Sequence, residues 1–292
     1  MRAWGLLLCC LLLCAPAPAA VPEIPRFRLL GAGDGLPSTT IPALARDRAG
    51  HLWIATWDGL ARYDGVSFKV WRHDPADPAS LAGNVVQALH IDARDRIWVA
   101  TENGGLSVME ADRGGFRHFR QADHPQMGSD DVFAITSRGD DVWFGTFGGG
   151  LHRLAADGRI TRFAAAAEGE DGLPSDSVLS LAFDAKGVLW IGTDHALFRR
   201  EPSGRLQEIE STHARLANER VLAILPLPDG RALVGNRHGL FRIDRGRATE
   251  WGREVGLPET SVLAVQPSRW GGLLVGGSAG VWRLEHGRAQ QI

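Results

Sequence analysis

The chain has 292 residues with 32 basic and 34 acidic side chains, and its formal net charge of −2 excludes an electrostatic footprint for nucleic acid or an anionic membrane. All 3 cysteines, Cys9, Cys10 and Cys14, lie near the N-terminus, so the rest of the chain is no disulfide scaffold and must rely on core burial.

Arg2, the apolar run Leu6 to Leu13 and the small-residue site Ala17-Pro18-Ala19 follow the order of a secretory signal peptide. Residues 1–20 are therefore set apart from a mature region of 21–292, whose expected location is the periplasm. The apolar run falls well short of the roughly 20 residues that span a bilayer. No later stretch is long and apolar enough to insert, so the mature chain is expected to stay out of the membrane. Leu8 and Leu13 precede Cys9 and Cys14 where a lipid-modified cysteine needs a small residue, which argues against a lipid anchor. Next, Arg26–Leu30 reads as an outer strand without the rest of its sheet.

The first full unit runs from 35 to 72. Ile41 to Arg46 is a short apolar segment, and Asp47-Arg48-Ala49-Gly50 has the aspartate-first, glycine-fourth pattern of a tight turn. Leu52–Thr56 is a strand, Trp57-Asp58-Gly59 a turn, Leu60–Tyr63 a strand, and Asp64-Gly65 a hairpin signal before Phe68–Arg72. Four short antiparallel strands joined by turns make one propeller blade. The second strand is apolar on nearly every residue, so both of its faces must be covered.

That strand recurs as Ile97-Trp98-Val99-Ala100-Thr101, Val142-Trp143-Phe144-Gly145-Thr146 and Leu189-Trp190-Ile191-Gly192-Thr193, then weakens to Ala232-Leu233-Val234-Gly235-Asn236 and Leu273-Leu274-Val275-Gly276-Gly277. A spacing of about 41 to 47 residues is the period of propeller blades. The repeats fall near 35–72, 80–120, 128–163, 172–209, 216–251 and 256–292, with outer strands also at Phe116–Arg120, Ile160–Phe163, Leu206–Ile209, Ala248–Trp251 and Ala289–Ile292. Trp53, Trp98, Trp143 and Trp190 are read as structural core, each burying on the order of 150–250 Å². The glycine or alanine before the threonine is expected to let a backbone approach closely. Blades 5 and 6, with leucine for tryptophan, are expected to pack less tightly. The fold class is all-β, a propeller of about six four-stranded blades. Arg26–Leu30 and Ala289–Ile292 compete to end the last blade, which leaves open a six-bladed ring or an open arc of a seven-bladed propeller.

The turn recurs as Asp184-Ala185-Lys186-Gly187, and the blades open on Gly35-Leu36-Pro37-Ser38, Gly172-Leu173-Pro174-Ser175 and Gly256-Leu257-Pro258-Glu259. With the tryptophan strand, these residues resemble the two-component regulator propeller repeat, whose pattern runs Gly-Leu-Pro-Ser, an apolar strand, Asp-x-x-Gly, Leu-Trp-Ile-Gly-Thr, Gly-Leu. Gly172 to Leu197 is nearly complete, with Ala196 in place of the expected glycine. The resemblance implies a periplasmic sensor propeller of a two-component or cyclic-di-GMP signalling system. In that family a β-sandwich, a membrane helix and a cytoplasmic histidine kinase or diguanylate cyclase usually follow. The implied partner is thus a membrane-bound kinase or cyclase, or domains downstream, and this chain is expected to lack an output domain of its own.

Loops at one end of a rigid β scaffold are where binding residues concentrate. The candidates there are Trp57, Asp58, Glu102, Asn103, Phe147, Asp194, His195, Asn236, Arg237 and His238. Aromatic faces beside amides and acids suit a small polar ligand such as an oligosaccharide. Gly276-Gly277-Ser278-Ala279-Gly280 fits the Gly-x-Ser-x-Gly nucleophile pattern but lies at a strand-to-strand turn, where that chemistry lacks its helix. Gly148-Gly149-Gly150 has no following lysine or helix to hold phosphate. The histidines show no metal-ligand spacing. The reading is a sensor without catalytic residues, metal or cofactor. The competing readings are a periplasmic propeller lyase or hydrolase using His195 and His238, and a protein–protein scaffold.

Overall fold

The computed structural model describes residues 28–165, 173, 175–209 and 215–292. The expected signal peptide lies outside them, as do Arg26, Phe27, Gly172 and Pro174. Six four-stranded antiparallel sheets follow one another around a ring, each a meander in chain order, and make a six-bladed β-propeller. Blade 1 holds β1 (Ala43–Arg46), β2 (Leu52–Thr56), β3 (Gly59–Tyr63) and β4 (Phe68–Trp71). Its successors open on β5 (Val86–Ile91), β9 (Val132–Arg138), β13 (Val178–Phe183), β17 (Ala223–Pro226) and β21 (Val262–Pro267). The last blade ends on β24 (Arg288–Gln291), and Arg28 to Leu30 form no strand, so the competition for that place is decided against the N-terminal segment. At the end of blade 5 the expected strand stops at Thr249, and Trp251 instead begins a single helical turn, Trp251–Glu254.

The core is a set of layers between blades. Trp53 packs with Val86, Ile97 and Val99 of the next blade, Trp98 with Val132 and Phe144, Trp143 with Val178 and Ile191, and Trp190 with Val221 and Val234. Each layer also takes one apolar residue from the chain entering the blade: Leu81, Met127, Leu173, Leu216 and Leu257, all nearly inaccessible. The buried leucine, more than the proline beside it, gives the Gly-Leu-Pro opening its structural value. Leu233 in blade 5 is only 1% exposed, as buried as the tryptophans it replaces, whereas Leu274 in blade 6 is half-buried.

In blades 1 and 2 the turn after the first strand, Asp47-Arg48-Ala49-Gly50 and Asp92-Ala93-Arg94-Asp95, does more than reverse the chain. Asp47 Oδ2 accepts the indole N–H of Trp53 at 2.9 Å, and Asp92 Oδ2 accepts that of Trp98 at 2.8 Å. Each aspartate also accepts backbone N–H bonds within its own turn, so one carboxylate ties turn, strand and core together. Burial opposes the charge on Asp92, but hydrogen bonds from Trp98 and Arg96 outweigh it and hold the carboxyl below its usual range. Arg113 bridges blades at this end: it pairs with Asp95 at 2.8 Å, and its guanidinium lies 5.3 Å from the centre of the Trp53 ring.

His152 sits in the layer between blades 2 and 3 with no exposed surface, its ring 4.7 Å from that of Phe144 and nearly parallel to it. Neither ring nitrogen has a hydrogen-bond partner among the described residues. Burial first, and the nearby Arg162 charge second, push its pKa down to about 4.

Two measurements test this packing. Asp92→Ala should cost roughly 1–3 kcal/mol in urea denaturation by leaving the Trp98 N–H unpaired, and Asp92→Asn, which keeps an acceptor, should cost less. For His152, the unfolded chain binds a proton below pH 6.5 while the folded chain resists until about pH 4, so stability must fall on acidification through that window. The slope from this one group approaches about 1.4 kcal/mol per pH unit. Because burial also lowers His90 and His118, the comparison is with His152→Leu, whose unfolding free energy should fall less steeply between those pH values.

Candidate functional site

Two loops from every blade meet at one end of the ring. After the second strand, the residue following the threonine donates its backbone N–H to the loop that enters the same blade: Trp57 to Thr40, Glu102 to Val85, Phe147 to Asp131 and Asp194 to Ser177, at 2.8–3.3 Å. Two residues or so later, a glycine N–H reaches the next blade's entering loop, Gly59 to Asn84, Gly105 to Asp130 and Gly150 to Asp176. From blade 1 to blade 4 these backbone hydrogen bonds form a belt from which side chains project.

The threonine makes the turn possible. Thr56 Oγ1 donates to the Gly59 carbonyl at 2.7 Å and accepts the Asp58 N–H at 3.1 Å, and Thr193 does the same with Ala196 and His195. Asn236 takes this place in blade 5. It is fully buried, its Oδ1 accepts the N–H groups of His238 and Gly239, and its Nδ2 donates to Arg215. Of the ten candidates it is the one turned into the scaffold instead of the mouth.

The others separate into local groups. Between blades 2 and 3, Gln87 Nε2 lies 3.4 Å from Asp131 Oδ1, and the rings of Phe133 and Phe147 are 6.1 Å apart. Burial first, and the Glu102 carboxylate second, raise the Asp131 pKa. In blade 4, Ser175 Oγ donates to Asp194 Oδ1 at 2.5 Å, and His195 Nδ1 sits 2.8 Å from that same oxygen. Burial opposes the Asp194 charge, yet these two bonds hold its pKa low. Serine and imidazole both address the carboxylate and not each other, so His195 does not stand as base to the hydroxyl. In blade 5, Glu219 accepts from Arg237 at 2.5 Å and faces His238 Nε2 at 3.2 Å. The two histidines are therefore committed to separate acids. Asp58 pairs with Arg72 at 3.0 Å, Trp57 stands 57% exposed beside it, and Asn103 takes a left-handed turn conformation. No group of three His, Cys, Asp or Glu among the described residues is arranged to hold a metal ion.

Gln87 and Phe133 were absent from the loop candidates because they belong to inner strands. They are the extra residues of β-bulges: the register skips from Val86 to Ala88 and from Val132 to Ala134. A bulge re-aims its unpaired residue at a barrel or propeller rim. The signal was present as a repeated Val-x-Ala or Val-x-Ser opening the inner strands of blades 2 to 6, with Ile41-Pro42-Ala43 in blade 1, where the middle residue varies most.

This architecture defines a β-propeller whose variable residues gather at one mouth. Three stretches, residues 35–58, 80–103 and 172–195, match the family model of the two component regulator propeller. Over 49 residues it is 39% identical to histidine kinase P4 of Formosa agariphila, a match covering 17% of this chain and 4% of that protein. The fold is similar to the extracellular domain of a hybrid two component system from B. thetaiotaomicron, with a TM-score of 0.71 and 21% identity, covering 90% of this chain and 34% of that one. It is also similar to virginiamycin B lyase from Staphylococcus aureus, with a TM-score of 0.67 and 17% identity, covering 87% and 84% of the two chains. This chain thus spans about a third of the length of the extracellular domain it matches. Among the described residues no helix is long and apolar enough to cross a membrane.

The acid pair at the mouth gives a titration test. Glu102→Gln should lower the apparent pKa of Asp131, read by carboxyl carbon NMR, but leave it above the usual aspartate value because burial is the larger cause. An unchanged titration would show that the two carboxylates do not interact.

Proposed function

We propose that this chain is an exported recognition propeller of a two-component or cyclic-di-GMP signalling system, binding a small polar ligand at its mouth without chemical turnover. One observation carries the reading: in a chain with three matches to the two component regulator propeller, the mouth holds a paired aromatic surface beside an amide and two acids. Phe147 is 46% exposed, so a ligand can reach its ring. Apolar ring faces with hydrogen-bonding neighbours suit the mixed surfaces of a sugar, and an oligosaccharide is the ligand class favoured. The extracellular placement of the similar two component system domain supports export of this chain. Its proposed partner is a membrane-bound kinase or cyclase. A signal to that partner requires unequal ligand affinity for two states, since tight binding alone shifts nothing.

A thermal-shift screen of the mature chain against oligosaccharides, amino acids and other small polar compounds tests the proposal. A ligand at about 100 times its dissociation constant should add roughly 2.7 kcal/mol of stability. Phe147→Ala and Asp131→Asn should each weaken that ligand on the order of tenfold, about 1.4 kcal/mol. Silence across the panel, or consumption of the compound with loss of activity in His195→Ala, would overturn the reading in favour of a scaffold or an enzyme.

A further inference from the structure

At five blade junctions the valine that opens an inner strand is completely buried: Val86, Val132, Val178, Val221 and Val262 are each 0% exposed. Each seats against the small residue that precedes the threonine position of the blade before. A methyl group added at Gly145 would lie 2.4 Å from Val178, at Gly192 2.6 Å from Val221, and at Gly235 2.6 Å from Val262. Ala55 and Ala100 fill the same role in blades 1 and 2, in the layers of Val86 and Val132. The glycine is a socket for the next blade's valine.

By the same register, the sixth pair is Ile41 and Gly276. Ile41 stands two residues before Ala43 as Val86 stands two before Ala88, yet it is 41% exposed. A methyl at Gly276 would meet only Ala264 of its own blade, at 3.7 Å. Leu44 and Val281 nearby are 54% and 43% exposed. Among the described residues no hydrophobic cluster, hydrogen bond or ion pair joins blade 6 to blade 1. Both halves of a blade junction are present, and neither is engaged.

We propose that this seam is a docking surface for one further four-stranded blade of the same repeat, carried by a partner polypeptide. The five packed junctions specify its chemistry. Toward blade 6 it presents a valine or isoleucine at the start of its inner strand, which enters the Gly276 socket. Toward blade 1 it presents a glycine or alanine before its threonine, which receives Ile41. The contact continues the ring by the packing that already holds every other blade, and it removes from water the apolar surface that the seam exposes.

The probe is a synthetic peptide of this chain's own residues 175–209, which contains the knob Val178 and the socket Gly192, titrated into the mature protein by calorimetry. One peptide should bind per chain, and Gly276→Val should weaken binding at least tenfold by filling the socket. Removing the peptide's knob, Val178→Gly, should restore binding to the Gly276→Val chain. A folding control is built in: Gly276→Val should keep the melting temperature, whereas Gly235→Val, whose socket is occupied, should lower it. Absence of binding, or equal binding to both chains, overturns the proposal. So does an equal loss of melting temperature in the two variants, which would mean that the chain fills its own socket. Dimerisation of the mature protein that Gly276→Val abolishes would assign the seam to a second copy instead.

Discussion

The structure depends on the contact of a valine with a residue that has almost no side chain. A four-stranded sheet presents two apolar faces and is too thin to form a core alone, so its stability is that of its junctions. Glycine inside a strand is ordinarily a cost, since it orders a flexible backbone and packs nothing. At Gly145, Gly192 and Gly235 the missing side chain lets the next blade come within contact distance, and the valine fills the space. Two residues earlier on the same strand, tryptophan fills the layers that blades 1 to 4 share with their successors.

The two ends of the ring carry different chemistry because they carry different constraints. At one end, in blades 1 and 2, aspartates bound to the Trp53 and Trp98 indoles tie strand to turn, and Arg113 spans the two blades. Those residues are occupied, and substituting them disturbs the core. At the other end the structural work is done by backbone groups and by a buried threonine, so that work does not fix the identity of the side chains between. Asn236 shows the distinction within one loop: its amide has taken the threonine's work, while its neighbours Arg237 and His238 face Glu219. Polar character at a mouth position is not enough to make a ligand contact.

Most of the blade plan was legible in the sequence because the signals are local. The recurring strand, the Asp-x-x-Gly turn and the Gly-Leu-Pro opening each lie within about ten residues, and each forms within one blade. What was not legible depends on two blades at once. The glycine reads as a permissive backbone until Val178 or Val221 is placed against it. Gln87 and Phe133 read as ordinary strand residues until the bulge shows that they leave the ladder. His152 alternates within an apolar strand like any outward polar residue, yet Phe144 and the layer of blade 2 enclose it. The leucine in blade 5 appeared to be a weakening, but burial depends on the neighbours' reach, and Leu233 is covered as fully as any tryptophan.

The mouth group and the seam occupy different parts of the ring, and the difference bears on how the two could be coupled. Gln87 and Glu102 come from blade 2, Asp131, Phe133 and Phe147 from blade 3, across a junction already filled by Val132 and Ala100. A ligand held there binds to a wall whose two sides are fixed relative to each other. Its binding energy can shift a population only where two arrangements of comparable energy exist. A packed junction offers one arrangement, because small displacements of a close-packed layer lose contacts quickly. The junction between blades 6 and 1 has no such layer, and packed junctions separate it from the mouth group on both sides. On the two proposals, recognition at the mouth and assembly at the seam are energetically separable, and coupling them requires an occupant of the seam whose own contacts reach the loops of the mouth.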